Sequence, residues 1–223
     1  MTSTYYKLPA EDIVDDVESS YSEEKFEVCG IQFSVLPHVY PSQKFRTTGF
    51  VLSHIKPLLV GKNVCDMGCG PGVVGLLALH SGANSVVQAD INPHAVENAK
   101  MNNDEQGFGA DRVSVYLSNC FDSVPENIFD VIVFNMPFHN DDIEISNPLE
   151  HAFYDPLFKS LDKFLKQAKS YTHQETMLFI AFSNKGDVAA LERIFSANDY
   201  TWELWKVANQ EEQYDNRIYK LTL

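Results

Sequence analysis

Val64-Cys65-Asp66-Met67-Gly68-Cys69-Gly70-Pro71-Gly72 sets three glycines at alternate positions directly behind a short apolar run. Without Cβ atoms, such a loop turns sharply and brings its backbone against a ligand. In an open α/β sheet the ligand lies beyond the carboxyl ends of the strands, which is where this loop falls if the run Asn63 to Asp66 is a strand. The next apolar run, Ser85 to Asp90, ends in an acid placed to accept both hydroxyl hydrogens of a ribose. Loop and acid together mark a nucleoside cofactor site.

Outward from the loop, short apolar runs alternate with helical stretches, the pattern of β-α-β units feeding a parallel sheet. Strands are predicted at Asn63 to Asp66, Ser85 to Asp90, Arg112 to Leu117, Phe129 to Phe134 and Met177 to Phe182. Helices are predicted at Gly72 to Ser81, Pro93 to Asn103, Asp155 to Ser170 and Asp187 to Ala197. Asn92 before Pro93 reads as a helix start, a side-chain cap followed by a proline that needs no amide hydrogen. Thr201 to Val207 and Arg217 to Leu223 have no helix between them and must pair as a hairpin. The expected fold is α/β: a Rossmann-like, seven-stranded, mostly parallel sheet whose last strand is antiparallel, preceded by an N-terminal extension.

A dinucleotide is a rival ligand, because Gly70-Pro71-Gly72-Val73-Val74-Gly75 formally matches G-x-G-x-x-G. A pyrophosphate, however, needs free amides at the helix start, and Pro71 removes one. Asp66 would also stand close to the phosphates, whereas it suits a cofactor bearing an ammonium and a sulfonium.

Val64 to Gly72 and Asp90 resemble the first motif and the ribose-binding acid of the Rossmann-like (class I) S-adenosylmethionine-dependent methyltransferases. By position, the resemblance implies that Asp66 and the backbone of Gly68 and Gly70 hold the methionine part of S-adenosylmethionine. It also implies that Ile91 packs on the adenine, and that Asn119 and Cys120 contact the adenine edge.

Phe129 to Phe134 leads into Asn135-Met136-Pro137-Phe138-His139, which resembles the N-P-P-F/Y motif of amino-methylating enzymes. It is similar in particular to the ribosomal-RNA guanine N2 and release-factor glutamine methyltransferases. The resemblance covers about residues 37 to 223. It implies catalytic roles for Asn135, Met136, Pro137 and Phe138, with Asn135 also at the cofactor. An amide or aryl amine shares its lone pair with a π system and is a poor nucleophile. If the Asn135 side-chain oxygen and the residue-136 carbonyl each accept one of its hydrogens, the lone pair is aimed at the methyl group. Phe138 can stack on the flat acceptor. Met136 stands where the family has proline, so the rigid φ that aims the carbonyl is lost. His139 reads as a positioned or solvent-facing histidine rather than a base.

With 223 residues and 44% hydrophobic content, the chain supports one well-buried domain. We divide it into an acidic N-terminal extension with a short hairpin, residues 1–45, and a methyltransferase domain, residues 46–223. The hairpin is read from the alternation over Lys25 to Leu36 around Cys29-Gly30. In the first 27 residues eight acids, Glu11 to Glu27, face only Lys7 and Lys25, the pattern of a solvated helix face or mobile arm. Arg46 and Thr48 weakly resemble a cofactor-lid pattern of the same families.

Seventeen basic against thirty-one acidic residues give a net charge of −14, which removes the counterion-release term of non-specific nucleic-acid binding. Long nucleic acid is therefore disfavoured as a partner. Lys159, Lys163, Lys166 and Lys169 recur at helical spacing, as the wet face of an amphipathic helix does. Cys29, Cys65, Cys69 and Cys120 show no C-x-x-C spacing, so reduced thiols and no metal are expected. The start carries no leader pattern and no segment reaches membrane-spanning length, so a cytoplasmic location without membrane partners is expected. The methyl acceptor, whether protein, RNA or small molecule, is unknown from the sequence, as is the oligomeric state. Methylation of oxygen or carbon in a small molecule, or a catalytically silent cofactor-binding subunit, stays open.

Overall fold

The computed structural model describes residues 10–19, 22–42, 47–209 and 215–223. After helix α1 (Ala10–Ser19) comes the hairpin β1 (Glu24–Val28) and β2 (Ile31–Val35), paired antiparallel. Helix α2 (Thr47–Ile55) leads into β3 (Asn63–Met67), α3 (Val73–His80), β4 (Ser85–Asp90), α4 (Pro93–Glu105) and β5 (Val113–Leu117). Then follow β6 (Val131–Asn135), α5 (Lys159–Ala168), β7 (Met177–Ser183), α6 (Val188–Ala197), β8 (Thr201–Asn209) and β9 (Asp215–Thr222).

The sheet order is β5-β4-β3-β6-β7-β9-β8. All pairs are parallel except those of β9, which runs antiparallel to both β7 and β8. The seven strands and the antiparallel last strand are as the sequence predicts. From β3 the chain steps outward to β4 and β5, then returns to place β6 on the other side of β3. The crevice at that reversal opens at the strands' carboxyl ends.

Side-chain alternation splits the core in two. Val64, Val131, Val133 and Phe179 pack with α2 and α3 residues such as Leu52, Ile55 and Leu76. Cys65, Ile132, Phe134 and Ile180 face the other way, onto Leu161, Phe164 and Phe195 of α5 and α6. Each such side chain, fully buried, contributes about 1.5–3 kcal/mol. Among the described residues no helix is long and apolar enough to cross a membrane.

Two expectations are corrected. The helix expected over Asp155 to Ser170 is broken at its start: Leu157 and Phe158 have φ of 56° and 52°, and α5 begins at Lys159. Asp155 accounts for the break, since its carboxylate accepts from the amides of Ser160 (2.8 Å) and Leu161 (2.9 Å) and caps α5 from outside. The acidic N-terminal segment is a solvated helix face but not a mobile arm over α1. Glu11, Asp12, Asp15 and Asp16 are exposed, while Ala10, Ile13, Val14 and Val17 are buried against Leu149 and Phe153.

The hairpin is fastened to α4. Asn98 and Asn102 both donate to the Ser34 carbonyl at 2.9 Å, and their side-chain oxygens accept from the amides of Leu36 and Ser34. Asn102 also donates to the Pro71 carbonyl at 2.8 Å, so one side chain ties the hairpin to the glycine loop.

Candidate active site

A cleft of about 1700 Å³, counting the open space at its mouth, lies over the tips of β3, β4, β6 and β7. Its lining includes each residue expected to act in catalysis or to hold the cofactor: Asp66, Gly68, Gly70, Asp90, Ile91, Asn119, Cys120 and Asn135 through Phe138.

The glycine loop needs its glycines. Gly68, Gly70 and Gly72 have φ of 63°, 54° and 84°, in the left-handed region that disfavours side chains. A Cβ on Gly68 would sit 3.1 Å from the Phe134 ring. Gly72 is also needed for packing, as is Gly75, because a Cβ on either would strike the Gln88 side chain. Gln88 is fully buried, donates to the Gly72 carbonyl at 2.9 Å and accepts from Asn103 at 2.7 Å.

Two carboxylates shape the floor of this end. Asp90 accepts from the Gly70 amide (2.8 Å) and the Asn92 amide (2.9 Å), which fixes it against the loop and leaves further lone pairs for a ligand. Burial raises its pKa, and the amides of Asn92, Gly70 and Ile91 oppose that rise. Asp66 is only 3% exposed and accepts from the Gly75 amide at 2.9 Å. Burial, with the nearby Asp90 charge, pushes it up to about 8, against the pull of the Gly75 amide and the Gln88 side chain. The Gly75 amide belongs to the first turn of α3. Asp66 therefore occupies an amide that a pyrophosphate would use, which weighs against a dinucleotide.

Asn119 is exposed at the cleft edge, whereas the buried Cys120 turns its thiol to the Ser160 carbonyl, 3.5 Å away. Burial pushes the Cys120 thiol up to about 12, so it stays protonated.

At the other end β6 carries Asn135 to the rim. The Asn135 side chain is half-buried in the cleft and has no hydrogen-bond partner among the described residues. Met136 is 3% exposed and packs in the core with Phe134, Phe158 and Phe182. Phe138 stands edge-on to Phe182 at 6.4 Å and beside His139 at 4.7 Å. The His139 pKa is lowered, mainly by burial, so the ring is neutral near pH 7.

Sequence reasoning missed the roof of this end. Ala10 and Ile13 of α1, with Pro148, His151, Ala152 and Phe153, line the cleft. His139 bridges Tyr154 in strand fashion, and Tyr154 donates to Glu11 at 3.2 Å, so roof and rim are joined. The buried Ser42 hydroxyl lines the cleft with no partner among the described residues. Thr48 lines the cleft too, while Arg46 lies outside the described residues.

The family model of the methyltransferase small domain matches residues 30–203. The chain belongs to the methyltransferase small domain family. Among curated relatives, the ribosomal protein L11 methyltransferase of Burkholderia orbicola is 38% identical over 96 residues, 43% of this chain and 26% of that one. A candidate protein N5-glutamine methyltransferase of Methanocaldococcus jannaschii is 32% identical over 133 residues, 57% of this chain and 62% of that one. The chain thus spans between about a quarter and three fifths of these relatives' lengths. A solved structure with the same fold is the 16S rRNA N2 G1207 methyltransferase of T. thermophilus in complex with AdoMet and guanosine. Its TM-score is 0.65 at 18% identity, covering 89% of this chain and 50% of that one. The family match begins at residue 30, so α1 lies outside it.

Proposed function

We propose that this methyltransferase-family chain transfers a methyl group from S-adenosylmethionine to a planar amide or aryl amine nitrogen. The observation that carries the reading is Asn135: a half-buried amide in the cleft, without a partner among the described residues, one strand away from the glycine loop.

The cofactor end fits the charge pattern of S-adenosylmethionine. Asp90 is anchored on two amides beside the glycine loop and suits the ribose hydroxyls, and Asp66 suits the cationic end. When bound, S-adenosylmethionine supplies an electrophilic methyl group. The chain's own residues orient the acceptor. The Asn135 Oδ1 accepts one N–H of the acceptor and the Met136 carbonyl the other, stabilising positive charge that develops on the nitrogen. Phe138 holds the acceptor plane. Where the family has a rigid proline, this chain has Met136, whose buried side chain anchors the segment by packing in the core. His139, a neutral ring beside Phe138, has a positioning role, and the proton released after transfer passes to water.

A transfer assay with labelled cofactor against fractionated extract, run on wild type and Asn135→Ala, tests this. Transfer that survives Asn135→Ala undiminished points to oxygen or carbon methylation. Cofactor binding with no transfer to any fraction points to a silent subunit.

A further inference from the structure

Methyl transfer at Asn135 makes no use of two residues that line the same cleft, Phe153 and Ser42. Phe153 is held beside Phe138 by backbone. The His139 amide donates to the Phe153 carbonyl at 3.4 Å, the Asp155 amide to the His139 carbonyl at 2.8 Å and the Leu157 amide to the Asn140 carbonyl at 3.0 Å. Because His139 bridges Tyr154 in parallel, Phe138 and Phe153 occupy neighbouring positions on two adjoining segments, and both line the cleft. Phe138 is pinned further by the turn after β7, since a Cβ on Gly186 would collide with the Phe138 carbonyl. The Tyr40 ring stands 5.5 Å from that of Phe153. A flat heterocycle gains from stacking on aromatic faces that are already fixed, because little is left to order on binding. An aliphatic amide would leave most of those faces unused.

Ser42 supplies the second point. It is 5% exposed, and its hydroxyl is buried with no hydrogen-bond partner among the described residues. A buried hydroxyl left unpaired is costly, so its place on the cleft wall marks it as a contact for what binds there. The Ser42 amide donates to the Tyr40 carbonyl at 2.8 Å, a tight turn that ties it to the ring beside Phe153. The hydroxyl therefore belongs to the aromatic end. It can donate or accept, which suits a ring nitrogen or an oxo group.

The ligand must also be free rather than part of a polymer. Ala10 and Ile13, seated on Leu149 and Phe153, roof this end. Its outer rim carries Glu11, Asp141 and Glu150, whose charges converge on Tyr154 and would repel a run of phosphates. Lys163, Lys166 and Lys169 pair with Asp122, Asp162 and Asp199, so they offer no bare cationic track for RNA.

Resting on the methyl-transfer reading, we propose that the acceptor is a free amino heterocycle. Its amine is held at Asn135, its ring lies on the wall of Phe138 and Phe153, and a ring nitrogen or oxo group bonds the Ser42 hydroxyl. The amine lone pair forms the new C–N bond as the methyl–sulfur bond breaks, and one N–H proton leaves to water. Phe153 and Ser42 are then specificity-determining residues.

The test uses the full chain saturated with S-adenosylhomocysteine. Cytosine, 2-aminopyrimidine and guanosine serve as amino heterocycles, aniline as an aryl amine without a ring heteroatom, and N-acetylglutaminamide as an aliphatic amide. Binding is measured by calorimetry, and transfer with labelled S-adenosylmethionine, where a short guanosine-containing RNA and a short glutamine-containing peptide are added. The expected result is that at least one amino heterocycle binds or reacts at least tenfold better than both aniline and N-acetylglutaminamide. Phe153→Leu keeps an apolar side chain under α1 but removes the ring, and should weaken that heterocycle at least fivefold. Ser42→Ala should remove its advantage over aniline. Both variants should bind S-adenosylhomocysteine within threefold of wild type, which also shows that they fold. The assignment is overturned if aniline or N-acetylglutaminamide matches every heterocycle, or if either variant leaves the preference intact. It is overturned equally if either variant weakens S-adenosylhomocysteine itself beyond threefold, or if only RNA or peptide accepts the methyl group. A wild type that fails to bind S-adenosylhomocysteine overturns the methyl-transfer reading and this one with it. Binding of S-adenosylhomocysteine without a preferred heterocycle overturns the heterocycle assignment alone.

Discussion

At one end of the cleft the chemistry is presented by backbone and by carboxylates locked onto backbone; at the other it is presented by side chains drawn from distant parts of the chain. Asp90 is held by the amides of Gly70 and Asn92, and the loop's shape follows from three left-handed glycines. The other end instead gathers Ile13, Asn135, Phe153 and Lys185 from four separate segments. The difference teaches where variation is tolerated. A backbone-built end changes only with the fold, whereas a side-chain-built end is re-specified one residue at a time.

The sharpest way to break this comparison is Asn135→Ala. It should lower turnover by about 10²-fold or more, the scale of losing one oriented polar contact in a transition state. S-adenosylhomocysteine affinity should change by less than about threefold, because the contact strengthens only during transfer. Equal losses in binding and turnover would mean that the two ends are not separable.

Asp90→Ala is the reciprocal cut. Losing charge-assisted hydrogen bonds should weaken cofactor binding by about 1–3 kcal/mol in calorimetry. Cofactor-saturated turnover should stay within a few-fold of wild type. An unchanged affinity would remove the ribose role.

The pH dependence of binding sharpens the cofactor end further. Asp66 lies at about 8 in the folded protein, raised by burial and by Asp90. A cationic ligand favours its ionised form, so affinity should rise with pH up to about 8, by at most about tenfold per unit, and then level. Asp66→Asn should flatten the profile. Folding stability carries the opposite sign. Between the ordinary aspartate range and about 8 the folded protein binds the Asp66 proton and the unfolded chain does not. Its contribution to stability is thus lost as pH rises through that window. Urea titrations of the ligand-free protein from pH 5 to 9 read this slope.

The smallest effect is expected from Met136→Pro. The ring restores rigidity and keeps the carbonyl, so turnover on a nitrogen acceptor should change less than about tenfold. The smaller side chain leaves space among Phe134, Phe158 and Phe182, so stability should fall by about 1–3 kcal/mol. Thermal unfolding beside the transfer assay separates the two.

The legibility of the two ends follows the same division. The sheet, the glycine loop and Asp90 were readable because backbone conformation and strand periodicity write themselves into local sequence. The antiparallel last strand followed from a missing helix before it. The roof was not readable, because it arises from contacts between segments far apart in the chain. One signal was present and passed over: Ala10, Ile13, Val14 and Val17 recur at helical spacing, which marks α1 as a docked helix, but the surrounding acids drew the reading to charge. The break at Leu157 and Phe158 had no comparable trace, since Asp155 imposes it by capping α5 from five residues upstream.

The Asn102 side chain has a consequence for how the protein breathes. By bonding to Ser34 on both its amide and its carbonyl, and to Pro71, it makes the hairpin and the glycine loop share one set of closed hydrogen bonds. Releasing the hairpin leaves the Oδ1 and one N–H of the buried Asn102 amide in search of partners, so its hold on the Pro71 carbonyl loosens while the hairpin is open. In hydrogen exchange, the Ser34 amide and the loop amides of Gly70 and Gly72 should open in a single cooperative unit, and a ligand seated on the loop should slow exchange in a hairpin that it never touches.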